Sequence, residues 1–196
     1  MKANKWDTSN RPSMQELIPE GKYAGIIFSI VDLWTQDVTY EGETKQQRKV
    51  HITWELPKIM VTLNKEKGEQ PAVISKKYTF SMHPKSALRS LVENIEWKME
   101  DSDAYAYELQ NILGKYCLLK IEHNKQYVNI ANIMWMDTEE ELEQVEKWIK
   151  PVNEHRLFDL DEPNEKTLET MPEWMKEIII SSPEYDKRQT EGDLEF

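Results

Sequence analysis

The sequence predicts a mainly β protein with helices: a five-stranded Greek-key barrel of element order β-β-β-α-β-β, followed by an acidic helical extension. Three observations carry that reading. Apolar and polar residues alternate with a period of two in successive segments between residues 22 and 135, and the period becomes helical between the third and fourth of them. The third observation is charge. Residues 1–135 hold 18 Lys+Arg against 17 Asp+Glu, whereas residues 136–196 hold 7 against 19, so nearly the whole net charge of −11 lies in the final third.

Residues 1–20 are polar, contain two prolines and read as an N-terminal arm. Lys22–Trp34 is rich in β-branched and aromatic residues and apolar on both faces, as a long curved first barrel strand would be. Residues 35–47 read as a polar loop turning at Gly42. In Arg48–Leu56, Val50, Ile52, Trp54 and Leu56 face the core, while Lys49, His51, Thr53 and Glu55 face solvent; Pro57 ends the run. Ala72–Met82 forms a third strand with Ile74, Tyr78, Phe80 and Met82 on its apolar face. Lys76 falls on the same parity, so its charge must escape at an edge or meet an anion.

Pro84 suits the first turn of a helix, and Leu88, Leu91, Val92 and Ile95 give that helix its stripe. Tyr105, Leu109, Ile112 and Leu113 mark a second short helix closed by Gly114. Cys117–Glu122 and Gln126–Trp135 make a hairpin across His123-Asn124-Lys125. Thr138 with Glu141 is a capping box opening a helix through Leu142, Val145 and Ile149. A polar linker over 151–167 leads to a helix from Met171 to Ile180, stopped by Ser181-Ser182-Pro183, and the rest reads as unfolded. Five strands with a helix between the third and fourth is the order of the OB-fold, in which the helix plugs one end of the barrel. The predicted divisions are an arm (1–20), the OB-fold domain (21–135), a helical acidic extension (136–185) and a flexible acidic tail (186–196).

No motif of catalysis is present: no Gly-rich phosphate loop, no H-E-x-x-H, no G-x-S-x-G and no Cys/His cluster. His51, His83, His123 and His155 are scattered, and the single Cys117 allows neither an internal disulfide nor a Cys-based zinc site. The expectation is a protein that is not an enzyme and carries no cofactor or metal. With no signal-peptide run at Met1–Trp6 and no apolar stretch of about 20 residues, it is also expected to be soluble, without a membrane.

Binding of single strands fits the pattern better. It requires cations along the backbone path and flat aromatics for bases, stacking being worth roughly 1–3 kcal/mol per base whatever the sequence. The second strand offers Arg48, Lys49 and His51, the third Lys76, Lys77 and Tyr78, and the fourth Lys120. Trp34 and Tyr40 flank and tip the first loop, and Tyr127 stands beside the last hairpin. Trp54 and Phe80 have core parity; Tyr78 fits either a stacking role or packing under the helix; a Lys76–Lys77 pair also suits a solvated edge that blocks strand pairing.

Several stretches then point to a family. Tyr78-Thr79-Phe80-Ser81-Met82-His83-Pro84-Lys85-Ser86-Ala87-Leu88-Arg89, Ile112-Leu113-Gly114-Lys115-Tyr116-Cys117, Trp54-Glu55-Leu56-Pro57 and the segment from Met171-Pro172-Glu173-Trp174 to Ser182-Pro183-Glu184-Tyr185 occur in an order that resembles the single-stranded DNA-binding proteins of tailed bacteriophages. The resemblance implies an OB-fold, sequence-tolerant binding of single-stranded DNA in phage replication or recombination, and a place in the cytoplasm of the infected bacterial host. The end Asp193-Leu194-Glu195-Phe196 is similar to acidic, aromatic-terminated tails that recruit replication or recombination proteins and compete with DNA. The helix at 138–149 departs from the Pro/Gly-rich link expected there. A monomer or homodimer is expected. The alternative is an OB-like protein-interaction module of phage replication that does not itself bind DNA.

Overall fold

The computed structural model describes residues 18–62, 68–125, 127–134, 136, 150–159 and 161–191. Within them the fold is mainly β. Strands β1 (Gly21–Tyr40), β2 (Glu43–Val61), β3 (Gln70–Thr79), β4 (Tyr116–Asn124) and β5 (Tyr127–Met134) form an open antiparallel sheet in the order β3-β2-β1-β4-β5. A short β6 (Arg156–Phe158) adds to β1 in parallel, beyond the stretch of β1 that pairs with β4. Helices α1 (Ala87–Glu96) and α2 (Asp101–Tyr105) and a 3-10 turn (Leu109–Ile112) fall between β3 and β4. Helices α3 (Glu165–Glu169), α4 (Glu173–Ile180) and α5 (Pro183–Glu191) follow β6.

The segment expected as a loop at 35–47 is a β-ribbon. The ladder between β1 and β2 runs on to Tyr40↔Glu43 and closes through Glu41 and Gly42, at φ 51° and 85°. Two successive positive φ values give the turn whose twist matches that of the strands, and Gly42 takes its value without a Cβ clash. The composition looked like a loop because the ribbon is largely solvated on both faces. Nor does Pro57 end β2: the ladder slips between Leu56 and Met60, and the bulge absorbs a residue with no N–H to donate.

The main core lies between the sheet and α1. Ile27, Ile30, Val50, Ile52, Trp54, Leu56, Ile74 and Tyr78 meet Leu88, Leu91, Val92 and Ile95, with Cys117, Leu119 and Ile121 from β4. Helix α1 begins at Ala87, not at Pro84, because Ser86 caps it: its hydroxyl accepts from the Arg89 N–H at 3.2 Å. Ile27 and Ile30 share a face despite their odd spacing, since a bulge between Ile27 and Ser29 rephases β1. Ile18 is part of this core, and the His123 ring contacts its carbonyl at 2.9 Å.

A second core explains why β1 is apolar on both sides. Val31, Leu33 and Trp34 pack against Phe158, Leu168, Met171, Met175 and Ile179, so the outer face of β1 is roofed by the C-terminal segment. The expected linker at 151–167 therefore contains β6 and the start of α3, and residues 184–191, within the stretch expected to be unfolded, lie in α5. At Gly114 (φ 82°) the C-terminal segment comes close: a Cβ there would lie 2.9 Å from the His155 ring. The predicted 138–149 helix and Asp193, Leu194, Glu195 and Phe196 lie outside the described residues.

That roof also buries residues expected to face solvent. Glu55 is completely buried, and its carboxylate accepts from Val152 N (2.9 Å), Asn153 N (2.8 Å) and Asn153 Nδ2 (2.6 Å). Three N–H donors converging on one carboxylate thereby fix the chain as it turns toward β6.

Candidate functional site

The basic and aromatic set divides into separate groups. On the outer face of β2 and β3, register pairs His51 with Lys77 and Lys49 with Thr79. Lys49 Nζ donates to Gln47 Oε1 (2.6 Å) and Thr79 Oγ1 (2.9 Å). Among the described residues neither Lys49 nor Lys77 has a carboxylate partner, although seven ion pairs form elsewhere. Partial burial and the charge of Lys77 hold the Lys49 ammonium below its usual range.

His51 is a correction. It is only 8% exposed, with its ring 5.4 Å from that of Trp174 in an edge-on contact at 67°. Burial and, secondarily, Lys77 lower its pKa to about 4, so it is neutral at pH 7 and contributes no cation.

Arg48, Lys76 and Tyr78 fall on the other parity. Arg48 is committed to the buried Asp32 carboxylate, with its Nε 2.8 Å from Oδ2, and its guanidinium lies 4.4 Å over the Phe80 ring. Burial pushes the Asp32 carboxyl up although Arg48 opposes that shift. Tyr78 is in the main core and does not offer a stacking face. Lys76 escapes as its parity required: it is exposed at the edge, 5.7 Å from the Tyr78 ring, and Nζ reaches the Ile130 carbonyl of β5 at 3.4 Å.

Lys120 and Tyr127 belong to the far end of the sheet. Lys120 pairs in register with Lys22, nine residues along β1 from Val31, the partner of His51; at about 3.3 Å per residue that is roughly 30 Å. Its ammonium is engaged by Glu122 at 2.6 Å. Tyr127 is 61% exposed.

Trp34 is the clearest departure from expectation. It is 1% exposed, stacked on Phe158 (5.9 Å between ring centroids) and tilted against Tyr185 (6.4 Å). The Tyr40 backbone sits at the ribbon tip, and its side chain lies outside what the structure describes.

Two exposed aromatics, Phe80 and Trp174, were not in the sequence-derived set. Phe80 has core parity but lies just past the end of β3, at the margin of exposure beneath the Arg48 guanidinium. Trp174 lies beside Met175 and Ile179, the buried stripe of α4, with Met171 four residues earlier just before the helix, a spacing that was available in the sequence.

The Cys117 thiol is buried and pushed up to about 12, far from a reactive thiolate. Among the described residues no three His, Cys, Asp or Glu side chains group to hold a metal, and no helix is long and apolar enough to cross a membrane. The chain matches no family model, no curated protein and no solved structure.

Proposed function

We propose that the chain is a sequence-tolerant single-stranded DNA-binding protein on an OB-type barrel, of the kind its motifs resemble in tailed bacteriophages. Support for the barrel comes from the strand order, with α1 inserted between β3 and β4, and from the edge strands β3 and β5 meeting at Lys76 and Ile130. The observation that carries the function is the Lys49–Lys77 pair: two ammonium groups on adjacent strands, unneutralised among the described residues in a protein of net charge −11. Holding like charges together is unfavourable unless an anion joins them. A phosphodiester backbone supplies such anions at regular spacing. Recruitment of replication or recombination proteins would fall to Asp193-Leu194-Glu195-Phe196.

The test is a fluorescence titration with oligo-dT and a mixed-sequence oligonucleotide at two salt concentrations. Salt-sensitive binding with little preference between the two is expected. Absence of binding at both salts would overturn the reading in favour of a protein-interaction module.

A further inference from the structure

We propose that the C-terminal helix α4 supplies part of the nucleic-acid surface, with Trp174 as a base-stacking platform beside the Lys49–Lys77 phosphate contacts; this rests on the single-strand-binding reading above. Trp174 is 45% exposed, whereas Trp34 and Trp54, which fill cores, are 1% and 0% exposed. Met175 and Ile179 anchor α4 on the second core, and the indole rests edge-on against His51 at 5.4 Å. That contact sets the ring beside β2, where Lys49 lies two residues from His51 on the same face and Lys77 is its cross-strand partner.

A half-exposed indole against a histidine whose own face carries two lysines matches the two needs of a single strand, a flat apolar face for a base and charge for the phosphates. Charge complementarity favours this occupant over an acidic or apolar protein surface, which would leave one of the two features unused. The neighbouring Glu173 carboxylate on α4 is tied to Lys176 at 3.6 Å. The acidic segment would thus contribute to the groove at this point and not compete for it.

The experiment is photo-cross-linking of the full chain to a 5-bromodeoxyuridine oligonucleotide with peptide mapping, beside oligo-dT titrations of Trp174→Ala and Trp174→Phe. Adducts on the Trp174 peptide are expected, with a loss of about tenfold in affinity for Trp174→Ala and near-native affinity for Trp174→Phe, which keeps an aromatic face. Thermal unfolding checks that both variants fold; should the Ala variant not fold, the wild-type adducts and the Phe variant decide. Wild-type protein that binds but cross-links only elsewhere, with Trp174→Ala binding equally well, overturns this inference alone. Wild-type protein that binds no oligonucleotide removes the reading beneath it.

Discussion

Trp34 holds φ 61° at a bulge in β1, a backbone region that costs a bulky residue about 1–3 kcal/mol. Asp32 supports the strain by accepting the Trp34 N–H at 2.9 Å, and stacking on Phe158 and Tyr185 offsets it. Trp34→Ala should therefore lower unfolding free energy by about 3–5 kcal/mol in a denaturant titration, while the protein that remains folded binds oligo-dT as before. A selective loss of affinity with native stability would return Trp34 to the binding surface. His51 is the residue to watch in acid. Its folded pKa of about 4 lies below the ordinary 6.5, so the stability it contributes is present above pH 6.5 and is lost as pH falls from there toward 4. The loss amounts to at most about 3 kcal/mol. Burial also shifts Asp32, in the raised direction, so its contribution has the opposite sign. Denaturant midpoints of wild type and His51→Gln at pH 7 and pH 4.5 isolate the histidine: the variant should show the smaller drop.

Elements were legible where one periodicity settled one burial pattern. Helix α1 follows its Leu88, Leu91, Val92, Ile95 stripe, and β4 alternates as expected. The readings failed where a surface had a partner far along the chain. Lys49, His51, Thr53 and Glu55 share one parity, yet Glu55 is covered by Val152 and Asn153 and His51 by Trp174, and nothing local in β2 announces that cover. The apolar outer face of β1 was the visible hint, but a closed barrel explained it equally well. Of the candidate site, the lysines were legible as charges on adjacent strands; Trp174 was not, because it reaches the site from a segment that reads as acidic. The Glu55 latch gives a prediction at this scale. Glu55→Ala removes the acceptor for the N–H groups of Val152 and Asn153, so it should destabilise by about 3 kcal/mol and speed proteolysis within residues 150–159. Denaturant titration and limited proteolysis measure both, and unchanged cleavage there would mean that β6 is held by its ladder to β1 alone.

For the molecule as a whole, the balance of −11 opposes any polyanion at long range, while the lysines of β2 and β3 attract it at contact. Which effect wins depends on screening. The Debye length is about 30 Å at 0.01 M salt and about 10 Å at 0.1 M, so the whole charge is felt at the first and mainly the local patch at the second. Much of the acidic third is built into the fold through β6 and α3 to α5, and Glu184 is bound to the Thr35 N–H at 3.2 Å. It therefore acts as a fixed background field, and a competitor role narrows to residues beyond Glu191. Deleting residues 192–196 should leave the thermal midpoint unchanged and raise oligo-dT affinity, more at 0.01 M than at 0.1 M salt. Lys49→Ala/Lys77→Ala should do the reverse, weakening binding to all sequences alike and reducing the salt slope by about 1.4, from roughly 0.7 per phosphate contact on single strands. Titrations of the three proteins across that salt range separate the two effects. An unchanged slope in the double variant would remove both lysines from the backbone path, and equal gains from the deletion at both salts would mean that the tail acts through contact and not through the field.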